Sequence, residues 1–238
     1  LERSLHGEDI SDYLTQAEEA GFNLLRVLAM KTDNTGWALD PKQSLYWDAL
    51  DRLFQRLDTF GFHCELTVFA DTRYVLPNPT DQQVFWTRVI DMAKEHSNVL
   101  LELVNEYGHP TQAINPLNFH KPDGILASHG SGLTDSDGVQ PYWDYMTYHA
   151  RRDAPPDARG FTNYNQYEFQ SVYPSLPRIP DEGIKPENYG YDIGYASLLG
   201  MHAACGAGGT FHWGGGVNSE MMDSKTYDCA VAFTKALA

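Results

Sequence analysis

Positive charge is scarce in this chain. Its 238 residues carry 17 Lys and Arg against 32 Asp and Glu, a formal charge of −15. The electrostatic footprint that a phosphate backbone or an anionic lipid surface demands is therefore missing, and nucleic acid and membrane drop out as partners. Long apolar runs are lacking too, none approaching the roughly 18 residues needed to span a bilayer. Cysteine is rare: Cys64, Cys205 and Cys229 show no C-x-x-C spacing, and an odd count does not suggest a disulfide framework, so all three read as free thiols. No charged-then-apolar leader stands at the N-terminus, which leaves the compartment open. What the chain does have is length enough for one α/β core as a single domain over residues 1–238, and 13% aromatic residues.

Two stretches share one layout. In the first, Ile10, Tyr13, Leu14 and Ala17 recur at helical spacing, Gly21 follows as a cap, and Asn23 to Met30 is a nearly continuous apolar run. In the second, Asp40-Pro41 opens a helix with the stripe Leu45, Ala49, Leu50, Leu53 and Leu57, Gly61 caps it, and His63 to Ala70 is the strand. A third unit has Val84, Phe85, Val89, Met92 and Ala93 on a helix starting near Asp81, then Val99 to Glu106 as strand. Strand ends near Met30, Ala70 and Glu106 lie about 36 to 40 residues apart, the spacing of repeated βα units. Near-continuous apolar strands imply a parallel sheet covered by helices, either a barrel or a doubly wound sheet.

The second half is less regular. Candidate strands are Gly124 to Ser128, Tyr142 to His149, Arg178 to Glu182 and Gly209 to Trp213, with helices at Phe161 to Tyr173, Tyr191 to Ala204 and about Asp228 to Leu237. That makes seven strands in a chain that starts with a helix.

Chemistry concentrates at strand ends. Leu101 to Glu106 places Asn105 and Glu106 at the C-terminal end of a buried strand, where alternation lets one of the pair point inward and a local bend would let both do so. A helix-capping Asn-Glu is the plainer alternative. Glu182 ends another strand in R-I-P-D-E-G, a sequence that also suits an ordinary turn. His149 and Trp213 end two further strands, and Arg26 lies on a third.

Taken in order, Arg26 on strand 2, Glu102 to Glu106 (E-L-V-N-E) on strand 4, His149 on strand 6, Glu182 on strand 7 and Trp213 on strand 8 resemble glycoside hydrolase clan A. The resemblance runs from strand 2 onward and implies a (β/α)8 TIM barrel lacking strand 1 in this chain. Such a barrel has unpaired edges beside strands 2 and 8, to be covered by Leu1 to Leu5, a neighbouring chain or an upstream segment, the last being favoured. The resemblance further implies Glu106 as acid/base, Asn105 as partner of the sugar 2-hydroxyl, Glu182 as nucleophile and Trp213 as the floor of the cleavage subsite. Arg26 becomes a counter-charge on the nucleophile or a structural ion pair within the barrel. A mouth-facing Trp213 implies that its loss would harm sugar recognition more than folding.

This chain departs from many members of the clan in two places. Tyr107-Gly108-His109-Pro110 follows the strand 4 Glu where Pro is common, and Arg151 stands where a Tyr usually buttresses the nucleophile. His129 or Arg151 is then the expected substitute, and His129 and His149 join the substrate-binding candidates.

The implied activity is retaining hydrolysis of a β-linked oligo- or polysaccharide, with no cofactor and a carbohydrate as partner. A polysaccharide substrate points to an extracellular or periplasmic location. Two rivals are a catalytically silent carbohydrate-binding barrel and a metal-dependent hydrolase. The nine histidines invite the metal, but no H-x-H pair occurs, and Asp135 to Gly138 reads as a turn in preference to a cation loop. Trp37, Tyr74, Trp143, Tyr164 and Tyr167 lie in or beside mouth-side loops, as sugar-stacking faces or as core.

Overall fold

A computed structural model describes residues 1–32, 39–130, 143–149, 177–204, 209–213, 215 and 220–238, with the backbone alone at 148, 149, 178, 180–182 and 202. The described residues form two compact units: residues 1–10 with 23–144, and residues 11–22 with 145–238.

The first unit opens with a helical turn, α1 (Glu2–Leu5), followed after the excursion of residues 11–22 by β1 (Leu24–Leu28), α3 (Tyr46–Thr59), β2 (His63–Phe69), α4 (Thr72–Val75), α5 (Pro79–Ala93), β3 (Val99–Val104) and β4 (Ala127–Ser128). The excursion itself is α2 (Ser11–Glu19). The strands form one parallel sheet in the order β1-β2-β3-β4 and take the places read as barrel strands 2 to 5. Strand β2 is buried at every residue after the first and β3 at all but Leu100, as expected of central strands covered on both faces. β1 is half-buried throughout and, among the described residues, pairs on one side only.

Repeated local chemistry explains the repeated layout. After α2, Gly21 N–H donates to the Glu18 carbonyl and Phe22 N–H to that of Ala17. After α3, Gly61 N–H donates to the Asp58 carbonyl and Phe62 N–H to that of Leu57. The same C-terminal cap therefore ends both helices before the chain turns into a strand. Tyr46, Leu50, Phe54 and Leu57 of α3 and Phe85, Trp86 and Val89 of α5 are buried. Fully buried side chains of this size each contribute roughly 1.5–3 kcal/mol.

Several boundaries differ from the sequence expectation. α3 begins at Tyr46, not at Asp40-Pro41: Asp40 accepts from Lys42 N–H through its carboxylate and from Gln43 N–H through its carbonyl, and Tyr46 N–H reaches the Gln43 carbonyl. These short-range turns use up the backbone groups that an earlier helix start would need, and they leave Leu45 exposed. Asn78 caps α5 through Thr80 N–H, so that helix starts before Asp81, and Val84 falls on its solvent side.

In the second unit β5 (Met146–His149) and β6 (Arg178–Glu182) form a parallel pair, followed by α6 (Ile193–Ala204) and α7 (Ser224–Leu237). α7 starts four residues ahead of the expected Asp228, because Asp223 accepts from Thr226 N–H at 2.8 Å as its N-cap. Residues 209–213, expected as strand 8, join no ladder. Their aromatic side chains pack on helices instead, Phe211 lying against Phe22 and Phe233. Six strands are thus present among the described residues. Leu1 to Leu5 form a helical turn whose Ser4 hydroxyl donates to the Ala49 carbonyl, so they add no strand beside β1.

The expected helix at 161–173, the Asp135 to Gly138 turn, Trp37, Arg151, Tyr164, Tyr167 and Cys205 lie outside the described residues. Cys64 and Cys229 are buried free thiols. No helix among the described residues is long and apolar enough to cross a membrane.

Candidate functional site

Partners across a parallel ladder share a face. The register pairs Arg26 with Glu65, Thr67 with Glu102, and Glu102 with Ser128, so one face of the sheet carries Arg26, Glu65, Thr67, Glu102 and Ser128. Glu65, Thr67 and Glu102 are fully buried. Glu102 Oε2 accepts from Arg26 Nε at 3.0 Å, Arg26 Nη2 at 2.7 Å and the Thr67 hydroxyl at 2.5 Å. A carboxylate removed from water is tolerable only with such charge-assisted partners. The described partners of Arg26 therefore make it a structural ion pair within the sheet.

Arg26 reaches one residue further. Its Nη2 donates to Asn105 Oδ1 at 2.9 Å. Strict alternation past Val104 would put Asn105 on the face opposite Glu102, so the chain bends at the end of β3, although Asn105 N–H still donates to the Phe69 carbonyl. Directly after the bend Glu106 has φ +45°, a left-handed conformation that costs a non-glycine residue on the order of 1–3 kcal/mol and is held only by its surroundings. At Gly130 a β-carbon would overlap the Val104 carbonyl, so only glycine lets the chain after β4 pass this close to the bend. With Asn105 Oδ1 taken by Arg26, its Nδ2 remains as a donor without a protein partner among the described residues.

His129, directly after β4, is buried and packs edge-on against Trp143 at 5.3 Å and towards Tyr107 at 6.4 Å. Burial lowers its pKa, with a hydrogen bond to the Pro116 backbone acting in the opposite sense. Trp143 is core, whereas Tyr74 is exposed.

In the second unit His149 and Glu182 are register partners at the C-terminal ends of β5 and β6, with a shift between Tyr148 and His149 that skips Asp181. Pro180 supplies no ladder donor. The expected buttressing of Glu182 by His129 or Arg151 involves the Glu182 side chain, which, like Arg151, lies outside those described.

Trp213 differs from expectation. It lies in no strand, its ring stacks on Tyr13 (6.2 Å, 24° between planes) beside Phe211, and it packs against the buried Ala20, Met222 and Ala230. Coil residues without a ladder are free to turn an aromatic face into a helix-bound cluster, and this one does. Trp213→Ala is accordingly expected to lower stability by about 2 kcal/mol, read from the midpoint of denaturant unfolding. An unmoved midpoint with weakened sugar binding would restore the mouth-facing placement.

Three residues that take part here were not singled out from the sequence: Thr67, which donates to Glu102, and Thr72 and Gln112, the Gln112 Nε2 donating to the Asn105 carbonyl while its Oε1 accepts from the Thr72 hydroxyl. For Thr67 the signal was present, since Glu65 and Thr67 alternate as polar positions within an apolar strand. Among the described residues no group of three His, Cys, Asp or Glu side chains converges as a metal site would.

No family model and no curated protein matches the sequence. Solved structures do. A family 5 glycoside hydrolase of subfamily 18 from Streptomyces cattleya, in complex with GlcNAc, superposes with a TM-score of 0.65 at 11% identity over 100% of this chain and 76% of that one. A broad-specificity endoglucanase of subfamily 4 from Clostridium cellulovorans gives 0.65 at 12%, over 98% and 88%. The chain spans about half, 48%, of a longer Bacteroides vulgatus protein that it matches over 86% of its own length, with a TM-score of 0.57 at 12% identity. At such identities the likeness is one of architecture: the chain has the α/β fold of the (β/α)8 TIM barrels that family 5 glycoside hydrolases adopt.

Proposed function

We propose that this chain is a retaining β-glycoside hydrolase acting on a β-linked oligo- or polysaccharide, with Glu106 as acid/base and Glu182 as nucleophile and with no cofactor. One observation supports it above the others: Arg26, neutralised by Glu102, grips Asn105 and so presents the Asn105-Glu106 pair at the C-terminal end of β3, with Glu106 in a conformation that its intrinsic preference opposes. Strand ends at that side of an α/β barrel are where such folds keep their chemistry. Structures of like fold include a mannosidase from Rhizomucor miehei and a lichenase from Caldicellulosiruptor, which makes β-mannans and β-glucans the first substrates to try.

In this mechanism the Glu182 carboxylate attacks C1 while Glu106 protonates the departing glycosidic oxygen, leaving a glycosyl ester on Glu182. Glu106, now a carboxylate, then takes a proton from the water that attacks C1 and releases the sugar with its configuration retained. The chemistry requires carboxyl groups about 5–5.5 Å apart. Asn105 Nδ2 is the donor for the sugar 2-hydroxyl, a bond that strengthens as charge develops at C1. His149 and His129 are further sugar-binding candidates in this proposal, whereas Trp213, packed against Tyr13 and Phe211, is left out of it. A screen over β-mannans, β-glucans and dinitrophenyl β-glycosides, with product analysis, tests it. Release of β-configured sugar is expected. Binding without turnover would make the chain a silent carbohydrate-binding barrel, and activity lost on dialysis against a chelator would make it a metal hydrolase.

A further inference from the structure

We infer that Gln112 is a positioning residue for the acid/base end of β3, an assignment that rests on the proposed role of Glu106. Gln112 is 7% exposed, in the loop that follows Glu106. Both ends of its amide are used. Nε2 donates to the Asn105 carbonyl at 2.6 Å, while Oε1 accepts from the Thr72 hydroxyl at 3.0 Å and from Thr72 N–H at 3.4 Å. Because Thr72 offers two donors, the amide can face it only with its oxygen, which leaves Nε2 for Asn105. The Thr72 hydroxyl in turn accepts from Ala113 N–H at 2.7 Å, and Arg73 N–H donates to the Thr111 carbonyl at 3.0 Å. α4, which follows β2, is thereby stitched to the loop that follows β3.

The choice of carbonyl is what turns this brace into a positioning device. The Asn105 carbonyl belongs to the peptide plane joining Asn105 to Glu106, and the tilt of that plane is set by ψ of Asn105 and φ of Glu106. Holding the carbonyl holds φ at +45°, the very angle that glutamate disfavours. Without Nε2 the plane swings back towards the right-handed region and carries the Glu106 carboxyl with it. Arg26 holds the same residue from the side-chain end through Oδ1, so Asn105 is fixed at two points and Glu106 inherits its direction. Gln112 carries no charge and reaches no reacting atom. It acts through the backbone of its neighbour.

A brace that only stabilised the fold would affect all substrates alike. A brace that aims the acid affects those whose leaving group needs a proton. The test is kcat/KM, which reports the first chemical step, on an aryl β-glycoside with a poor leaving group and on the 2,4-dinitrophenyl β-glycoside of the same sugar. Gln112→Ala is expected to lose tenfold or more on the first and less than about threefold on the second, out of the roughly 10²- to 10⁴-fold that general acid catalysis supplies. Thr72→Val, which removes the hydroxyl at nearly constant shape, is expected to show the same selectivity with a smaller loss, and it carries the test if Gln112→Ala does not fold. Equal losses on both substrates in the folded variant, or no loss in either variant, overturn the positioning role while leaving the glycosidase reading intact. A wild-type enzyme that cleaves neither substrate overturns both.

Discussion

Glu182→Gly is expected to lose turnover of natural β-glycosides by roughly 10⁴-fold or more, the scale of removing a nucleophile, and to regain turnover of an activated β-glycoside in azide, with an α-glycosyl azide as product. The vacated side chain leaves room for azide to attack C1 from the nucleophile's face while Glu106 still protonates the leaving group. Glu106→Gly is expected to behave in the opposite sense. Substrates with good leaving groups still glycosylate Glu182, since they need no proton, and azide then intercepts the covalent intermediate to give the β-glycosyl azide. Product anomers, read by NMR, assign each carboxylate separately. Swapped anomers would exchange the two roles, and wild-type-like hydrolysis of polymer by either variant would end the two-carboxylate mechanism.

Arg26→Met is expected to destabilise the protein by about 3–5 kcal/mol, because it leaves Glu102, which has no solvent exposure, without its guanidinium partner. Thr67 still donates to the carboxylate, but one neutral hydroxyl does not replace two charge-assisted bonds. For a chain of this size that loss lowers the melting temperature by roughly 10 °C. The double variant Arg26→Met with Glu102→Leu is expected to recover most of the stability, since removing both charges removes the desolvation cost together with the attraction. It should not recover activity, because Asn105 loses its side-chain anchor in either case. Thermal unfolding and kcat/KM on the same preparations separate the two effects. A single variant as stable as the wild type would mean that the pair contributes nothing to the fold.

Much of the chain up to residue 70 was legible from the sequence alone. Apolar periodicity is a local property, and the helix, glycine and strand layout of residues 11–30 and 46–70 follows from it directly, down to the matching caps at Gly21 and Gly61. Residues 209–213 show where that signal fails. An apolar and aromatic run reads as strand, but a strand exists only if another accepts its ladder, and a run of five residues does not state whether its neighbour is a strand or a helix.

By itself the sequence determined the order of the elements, the placement of Asn105, Glu106 and Glu182 at or directly after strand ends, and the burial of the central strands, all of which depend on residues a few positions apart. Only the tertiary structure decided what those residues touch. Arg26 finds Glu102 and Asn105 at separations of 76 and 79 residues, and Gln112, an unremarkable polar residue in a loop, meets Thr72 forty positions away. Alternation along a strand names the face on which a side chain lies, while the partner depends on the register between strands and on bends such as the one after Val104. Register is settled by summing weak contacts over the whole sheet, and no short window of sequence holds that sum.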